Sequence, residues 1–231
     1  MTNGKTALIA GSTGLIGGHL LLQLLDDPAY SQVISLTRRP TSEAHPKLKE
    51  VIVDFDNLEQ AGDDLKADHV FCCLGTTRKK AGSKEAFHKV DYHYVVELAR
   101  QCIRLGASRF LVVSALGANR TSSVFYNQVK GEMEYTITHL DDYKGVYIFR
   151  PSLLLGDRNE KRTGERIAQW FATTFSFLFK GGLKKYQAIE GHKVATAMRQ
   201  VAKSDLQGVC IFESNEIEEE VGNLRTSGTD L

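Results

Sequence analysis

The chain has only four prolines in 231 residues, a single tryptophan, and no stretch rich in Gly, Ser and Pro that would serve as a linker. These absences, with a near-average apolar content of 42%, exclude collagen-like, low-complexity and intrinsically disordered classes. Apolar runs are strand-length, far short of the roughly 20 residues that span a bilayer. The polar Met1–Lys5 start gives no signal-peptide core. There is no excess of charge: 29 Lys and Arg face 28 Asp and Glu, a net of +1, which gives no general reason to expect a nucleic-acid partner. The four cysteines (Cys72, Cys73, Cys102 and Cys210) form no Cys-x-x-Cys pair and show no ligand spacing with the seven histidines. Reduced core thiols, no metal and a cytoplasmic location are therefore expected.

What is present is alternation. Strand-like runs at Thr6–Ala10, Val33–Leu36, Val51–Phe55, His69–Leu74, Phe110–Ser114, Val146–Phe149 and Val209–Glu213 are separated by amphipathic segments. Helices are expected near Ile16–Leu25, Tyr92–Leu105, Phe125–Leu140, Glu165–Phe179 and Gly191–Ala202. Strand followed by helix implies parallel pairing through right-handed crossovers. The expected fold is α/β, a Rossmann-type doubly wound parallel sheet with a small C-terminal substrate lobe. One domain covers residues 1–215, with the lobe at about 151–190 and a polar, solvated tail at 216–231.

Three clusters carry chemistry. Gly11-Ser12-Thr13-Gly14-Leu15-Ile16-Gly17 closes the first strand and opens a helix. Glycines at that spacing allow a tight turn and close backbone approach to a pyrophosphate, which the helix N-terminus then holds. Arg38 and Arg39 end the second strand, Arg38 lying 21 residues after Gly17, where a ribose-recognition residue is expected. A carboxylate there would accept from the 2′-hydroxyl of NAD, whereas two guanidiniums fork onto a 2′-phosphate, so NADPH is the expected cofactor. Asp54 and Phe55, at the expected end of the third strand, and Leu74, Gly75 and Thr76, at the end of the fourth, fall on the same crevice.

The third cluster is Tyr126-x-x-x-Lys130, whose four-residue spacing sets both side chains on one helix face. Ser114 ends the fifth strand, 12 residues earlier. A phenol has an ordinary pKa of about 10. A nearby ammonium favours its phenolate, so Lys130 is expected to bring Tyr126 into range as an acid or base. Ser114 is expected to hold a substrate carbonyl, and Lys130 also the nicotinamide ribose. Beyond the sixth strand, Arg158, Lys161 and Arg162 lie in an expected substrate loop, and an aromatic segment runs from Ile167 to Phe179.

The glycine turn, Ser114 and Tyr126-x-x-x-Lys130 resemble the short-chain dehydrogenase/reductase superfamily, of the atypical or extended kind. Phe71-Cys72-Cys73-Leu74-Gly75-Thr76-Thr77-Arg78, Gln128-Val129-Lys130-Gly131-Glu132 and Phe149-Arg150-Pro151 are similar to oxidoreductases related to the HIV Tat-interacting protein. That resemblance implies a Rossmann fold, NADP, and Tyr126 as proton donor. It also implies cofactor contacts from Ser12, Thr13, Arg38, Arg39, Leu74, Gly75, Tyr126 and Lys130, with Pro151 and the backbone around Leu153. Extended members often carry asparagine where this chain reads Val90-Asp91-Tyr92, which leaves the role of Asp91 open. The expected activity is reduction of a carbonyl or activated double bond. The alternative is an NADPH-binding regulator or sensor with little turnover. A sugar-nucleotide epimerase is disfavoured, because only about 80 residues follow the sixth strand. The substrate, and whether the chain pairs with itself or with another protein, are not legible.

Overall fold

The computed structural model describes residues 4–140, 143–155 and 187–227. Seven parallel strands form one sheet: β1 (Lys5–Ala10), β2 (Tyr30–Thr37), β3 (Leu48–Ile52), β4 (His69–Cys72), β5 (Arg109–Val113), β6 (Gly145–Arg150) and, after two short strands, β9 (Gly208–Glu213). Their order is β3-β2-β1-β4-β5-β6-β9. β7 (Leu154–Leu155) and β8 (Ile189–Glu190) make a separate parallel pair. The doubly wound sheet expected from alternation is present.

Alternate residues of each strand feed opposite faces, as the two-residue repeat of a strand requires. Leu8, Ala10, Ile34, Leu36, Phe110 and Val112 pack on one face. They meet α4 (Tyr94–Arg104) and α5 (Phe125–Thr138) through Val95, Leu98, Cys102, Met133 and Ile137. Ala7, Ile9, Val33, Phe71, Leu111 and Phe149 pack on the other. There they meet α1 (Leu15–Asp26) and α6 (Gly191–Val201) through Leu20, Leu24, Val194 and Met198. Two short helices, α2 (Arg78–Ala81) and α3 (Lys84–His88), precede α4.

Two expectations change. The third strand ends at Ile52 rather than Phe55. Asp54 caps a 3-10 segment, Phe55–Leu65, by accepting from Asp56 N–H, and Phe55 turns into the core. The polar tail is not wholly solvated, because residues Ser214–Ser227 form α7. Ile217 is fully buried and Val221 packs beside it, the i, i+4 pair that a helix needs to dock one face. The helix expected at Glu165–Phe179, the loop with Arg158, Lys161 and Arg162, and most of the lobe lie outside the described residues.

Buried polar groups tie the lower end of the sheet. Asp27, after α1, accepts from Lys203 Nζ (2.6 Å), Arg199 Nη1 (3.0 Å) and Ala29 N–H (2.9 Å). Burial works against its carboxylate, but Lys203, the Ala29 amide and Arg199 outweigh that and hold its pKa below the usual range. His69 is fully buried, its Nε2 3.1 Å from Lys5 Nζ and its Nδ1 2.9 Å from the Tyr30 hydroxyl. An ammonium only donates, so Nε2 accepts and Nδ1–H donates to Tyr30. Burial, with Lys5 and Arg109 nearby, pushes the pKa of His69 down from 6.5 to about 3.

Between those two values the unfolded chain binds a proton that the folded chain refuses, so stability is lost as the pH is lowered through that window. From pH 7 to pH 4 we expect His69 to account for a loss of roughly 2–3 kcal/mol. His69→Gln, which keeps hydrogen-bonding groups but cannot titrate, is expected to flatten that part of the pH dependence. Urea unfolding across the range measures it, and an unchanged slope contradicts a neutral buried imidazole.

Candidate active site

The strand order reverses between β1 and β4, which leaves a crevice at their carboxyl ends. Cys73 N–H donates to Ala10 O (2.8 Å) and holds the two exits together. Gly11 has φ +87°, and a Cβ on it would stand 2.6 Å from Cys73 O. A Cβ on Gly17 would stand 2.1 Å from Gly11 O. The glycines are thus demanded by the close contact of turn, helix and neighbouring strand. Gly14 is the N-cap of α1, with no side-chain cap and no acidic residue in the first turn. The first N–H groups of the helix are left for an anion.

The rest of the turn divides by role. Thr13 and Gly14 are exposed at its crown. Ser12 is buried, and its Oγ accepts from Ser35 Oγ (2.8 Å), pinning the turn to β2. Ile16 packs in the core, while Leu15 lies against Gly191, so these two offer an anion only their backbone. The residues present fit a dinucleotide pyrophosphate. Arg38 and Arg39 follow β2, both exposed, and neither has a partner among the described residues.

Asp54 and Phe55 were expected to line the same crevice. The carboxylate of Asp54 accepts from Asp56 N–H (3.0 Å) and Asn57 Nδ2 (2.7 Å). The Phe55 ring is buried against Tyr94, with centroids 5.4 Å apart. The ring is therefore committed to the core, because the chain has already left the strand at Ile52.

Leu74, Gly75 and Thr76 leave β4 over the crevice. Thr76 N–H donates to Asp91 Oδ2 (2.9 Å), and Asp91 Oδ1 lies 2.8 Å from Lys130 Nζ. A Cβ on Gly75 would sit 3.5 Å from that Oδ1 and 4.0 Å from that Nζ, so the β4 exit lies directly against the buried ion pair. Tyr126 stands one turn before Lys130 on α5, its ring 5.5 Å from Phe87. Its pKa does not fall as expected. Burial raises it first, Lys130 lowers it, Asp91 raises it again, and the balance is upward.

Ser114 makes no hydrogen bond to Tyr126. It is buried, and its Oγ donates to Glu134 Oε1 (2.5 Å), one turn beyond Lys130. Glu134 is also held by Arg150 Nε (3.0 Å) and Nη2 (2.5 Å). A strand-end serine is legible in sequence, but its competing acceptor, 20 residues on, is not. At the β6 exit, Pro151 is buried and its carbonyl accepts from Leu116 N–H (3.1 Å). Leu153 O accepts from Ile189 N–H (2.9 Å) and opens the β7–β8 pair.

Residues 7–176 match the NAD dependent epimerase/dehydratase family. The chain belongs to that family. Protein HTATIP2 of Rattus norvegicus is 37% identical over 171 residues, 72% of this chain and 70% of that protein. It bears out the resemblance drawn from the β4 exit and α5 motifs. Protein fmp52, mitochondrial, of Aspergillus clavatus is 32% identical over 211 residues, 88% of this chain and 89% of that one. Among solved structures, MoeE5 in complex with UDP-glucose and NAD gives a TM-score of 0.68 at 18% identity, covering 96% of this chain and 82% of that chain. UDP-N-acetylglucosamine 4-epimerase from Methanobrevibacter ruminantium M1 gives 0.68 at 16%, covering 98% and 84%. At such identities the likeness is one of fold. No helix among the described residues is long and apolar enough to cross a membrane.

Ser114→Ala tests the reassigned serine. Glu134 would lose a buried donor, so a loss of about 1–3 kcal/mol is expected. Turnover of an accepted substrate should stay within about threefold, as for a site away from the reacting atoms. Thermal melting and steady-state rates read the two; a stable variant with collapsed turnover would return Ser114 to catalysis.

Proposed function

We propose that the chain is an NADPH-dependent oxidoreductase that reduces a carbonyl or activated double bond. The observation that carries this reading is the placement of Tyr126 and Lys130 on α5, with Lys130 beside Gly75, at the crevice opened by the glycine turn. The glycine turn and the uncapped start of α1 would hold the pyrophosphate, and Arg38 and Arg39 the 2′-phosphate. When bound, the cofactor supplies a hydride. Tyr126 gives its proton to the acceptor oxygen, and the Lys130 ammonium stabilises the phenolate that remains. Lys130 also offers its remaining N–H groups to ribose hydroxyls.

The family description names NAD and the solved neighbours are titled with it, so the choice of NADPH rests on Arg38 and Arg39 and on the resemblance to the Tat-interacting-protein-related oxidoreductases. The fungal relatives are named mitochondrial, and the cytoplasmic location proposed for this chain rests on cysteines that read as reduced core thiols. One observation favours the second reading, a cofactor-binding regulator with little turnover: the withdrawal of Ser114 to Glu134 leaves no strand-end hydroxyl for the acceptor.

Side-by-side calorimetric titration with NADPH and NADH tests the cofactor. NADPH is expected to bind clearly more tightly. Arg38→Ala with Arg39→Ala is expected to weaken NADPH by about 10- to 100-fold, the worth of one or two charge-assisted hydrogen bonds, and to leave NADH unchanged. Equal binding of both cofactors would remove the NADPH assignment. For chemistry, NADPH consumption across a carbonyl panel separates enzyme from regulator. Where turnover is found, Tyr126→Phe is expected to lower kcat by about 100-fold or more; full activity in that variant would sink the acid role.

A further inference from the structure

Lys130 is not a free cation. Lys130 and Asp91 side chains are 4% and 1% exposed, and their charged atoms lie 2.8 Å apart. Asp91 is also tied by Thr76 N–H, so the β4 exit fixes the carboxylate and the carboxylate fixes the ammonium. Asp91 is delivered by a single π-helical turn, Lys89–His93, between α3 and α4. Such turns insert a residue into helical register and are frequent at functional sites. Here the turn points a carboxylate inward from a segment whose neighbours, Lys89 and His93, are partly or wholly in solvent.

The consequence falls on Tyr126. The charged groups facing its phenol are Lys130 on its own helix and Asp91 on the π turn. Cys72 of β4 lies behind Lys130, its thiol pushed up to about 12 by burial and therefore neutral. Phe87 of α3 supplies an apolar wall. An unpaired lysine in this enclosure would draw the phenol toward phenolate. Paired, its pull on the phenol is offset in part by the carboxylate, and burial then leaves the balance upward.

We propose that Asp91 is a positioning residue that fixes Lys130 and offsets part of its charge, so that Tyr126 rests as a proton donor and the site is poised for reduction. This rests on the reading of Tyr126 as the acid. In that step the acceptor carbon takes the hydride from reduced cofactor and the acceptor π bond breaks. The Tyr126 O–H bond then gives its proton to the acceptor oxygen, and the phenolate regains one from water. The reverse, oxidative step needs Tyr126 as phenolate at the start, which burial and the Asp91 carboxylate oppose until alkaline pH.

The test is a spectrophotometric titration of phenolate absorbance in the full chain without cofactor, taken as wild type minus Tyr126→Phe. Tyr126 is expected to ionise above the ordinary phenol value of about 10. Asp91→Asn is expected to move that midpoint down by about one pH unit or more, and Asp91→Glu to bring it back toward wild type. A wild-type midpoint below about 9 overturns the proposal, and this arm stands even where Asp91→Asn fails to fold. An unmoved midpoint in folded Asp91→Asn overturns it equally. Failure of the enzymatic reading shows elsewhere, as full turnover by Tyr126→Phe, because the titration uses neither cofactor nor substrate.

Discussion

The contact of Gly17 with the carbonyl of Gly11 governs the carboxyl edge of the sheet. Any side chain on Gly17 would occupy the space of that carbonyl, and any on Gly11 the space of Cys73. Because both are bare, α1 starts directly beneath β1 and its first amides face the point where strand order reverses. The exit of β4 is pulled in by the same approach, through the bond from Cys73 to Ala10. Gly75 and Thr76 follow two and three residues later and reach Asp91. A steric requirement at one turn thus sets where Lys130 of α5 finds its partner.

Three buried carboxylates illustrate how differently one physical rule can be used. A buried charge must be paired, and removing one partner leaves the other uncompensated. Asp27 pairs with Lys203 and Arg199 and clamps the ends of α1 and α6, far from the crevice. Glu134 pairs with Arg150 and takes the hydroxyl of Ser114, joining α5 to β5 and β6. Asp91 pairs with Lys130 at the crevice itself, against Gly75. The first two bind elements together; the third also sets a charge that the phenol one turn away can sense.

Much of this was legible from residues alone. Strand-length apolar runs with helical patterns between them gave the doubly wound sheet, because strands buried on both faces need no polar alternation. Spacing gave the glycine turn and the Tyr126–Lys130 pair, since both depend on local geometry. What failed depended on partners distant in sequence. Phe55 reads as a strand end until Asp54 is seen to cap a turn and redirect it inward. Ile217 and Val221 read as stray apolar residues in an acidic tail until β9 and α6 offer them a surface. Ser114 reads as a free hydroxyl until Glu134 claims it.

The same division separates the two properties proposed for the site. Preference for a 2′-phosphate is carried by exposed side chains, Arg38 and Arg39, which act through their own charge and reach; nothing else need be known to read them. The state of the Tyr126 proton is carried by burial and by a carboxylate 35 residues upstream. Tyr-x-x-x-Lys is the same motif whether its lysine is bare or paired, so the motif specifies where a proton can move and leaves open which way it is poised to go. In the proposed site that poise is decided by the element packed against the motif, the π turn that carries Asp91.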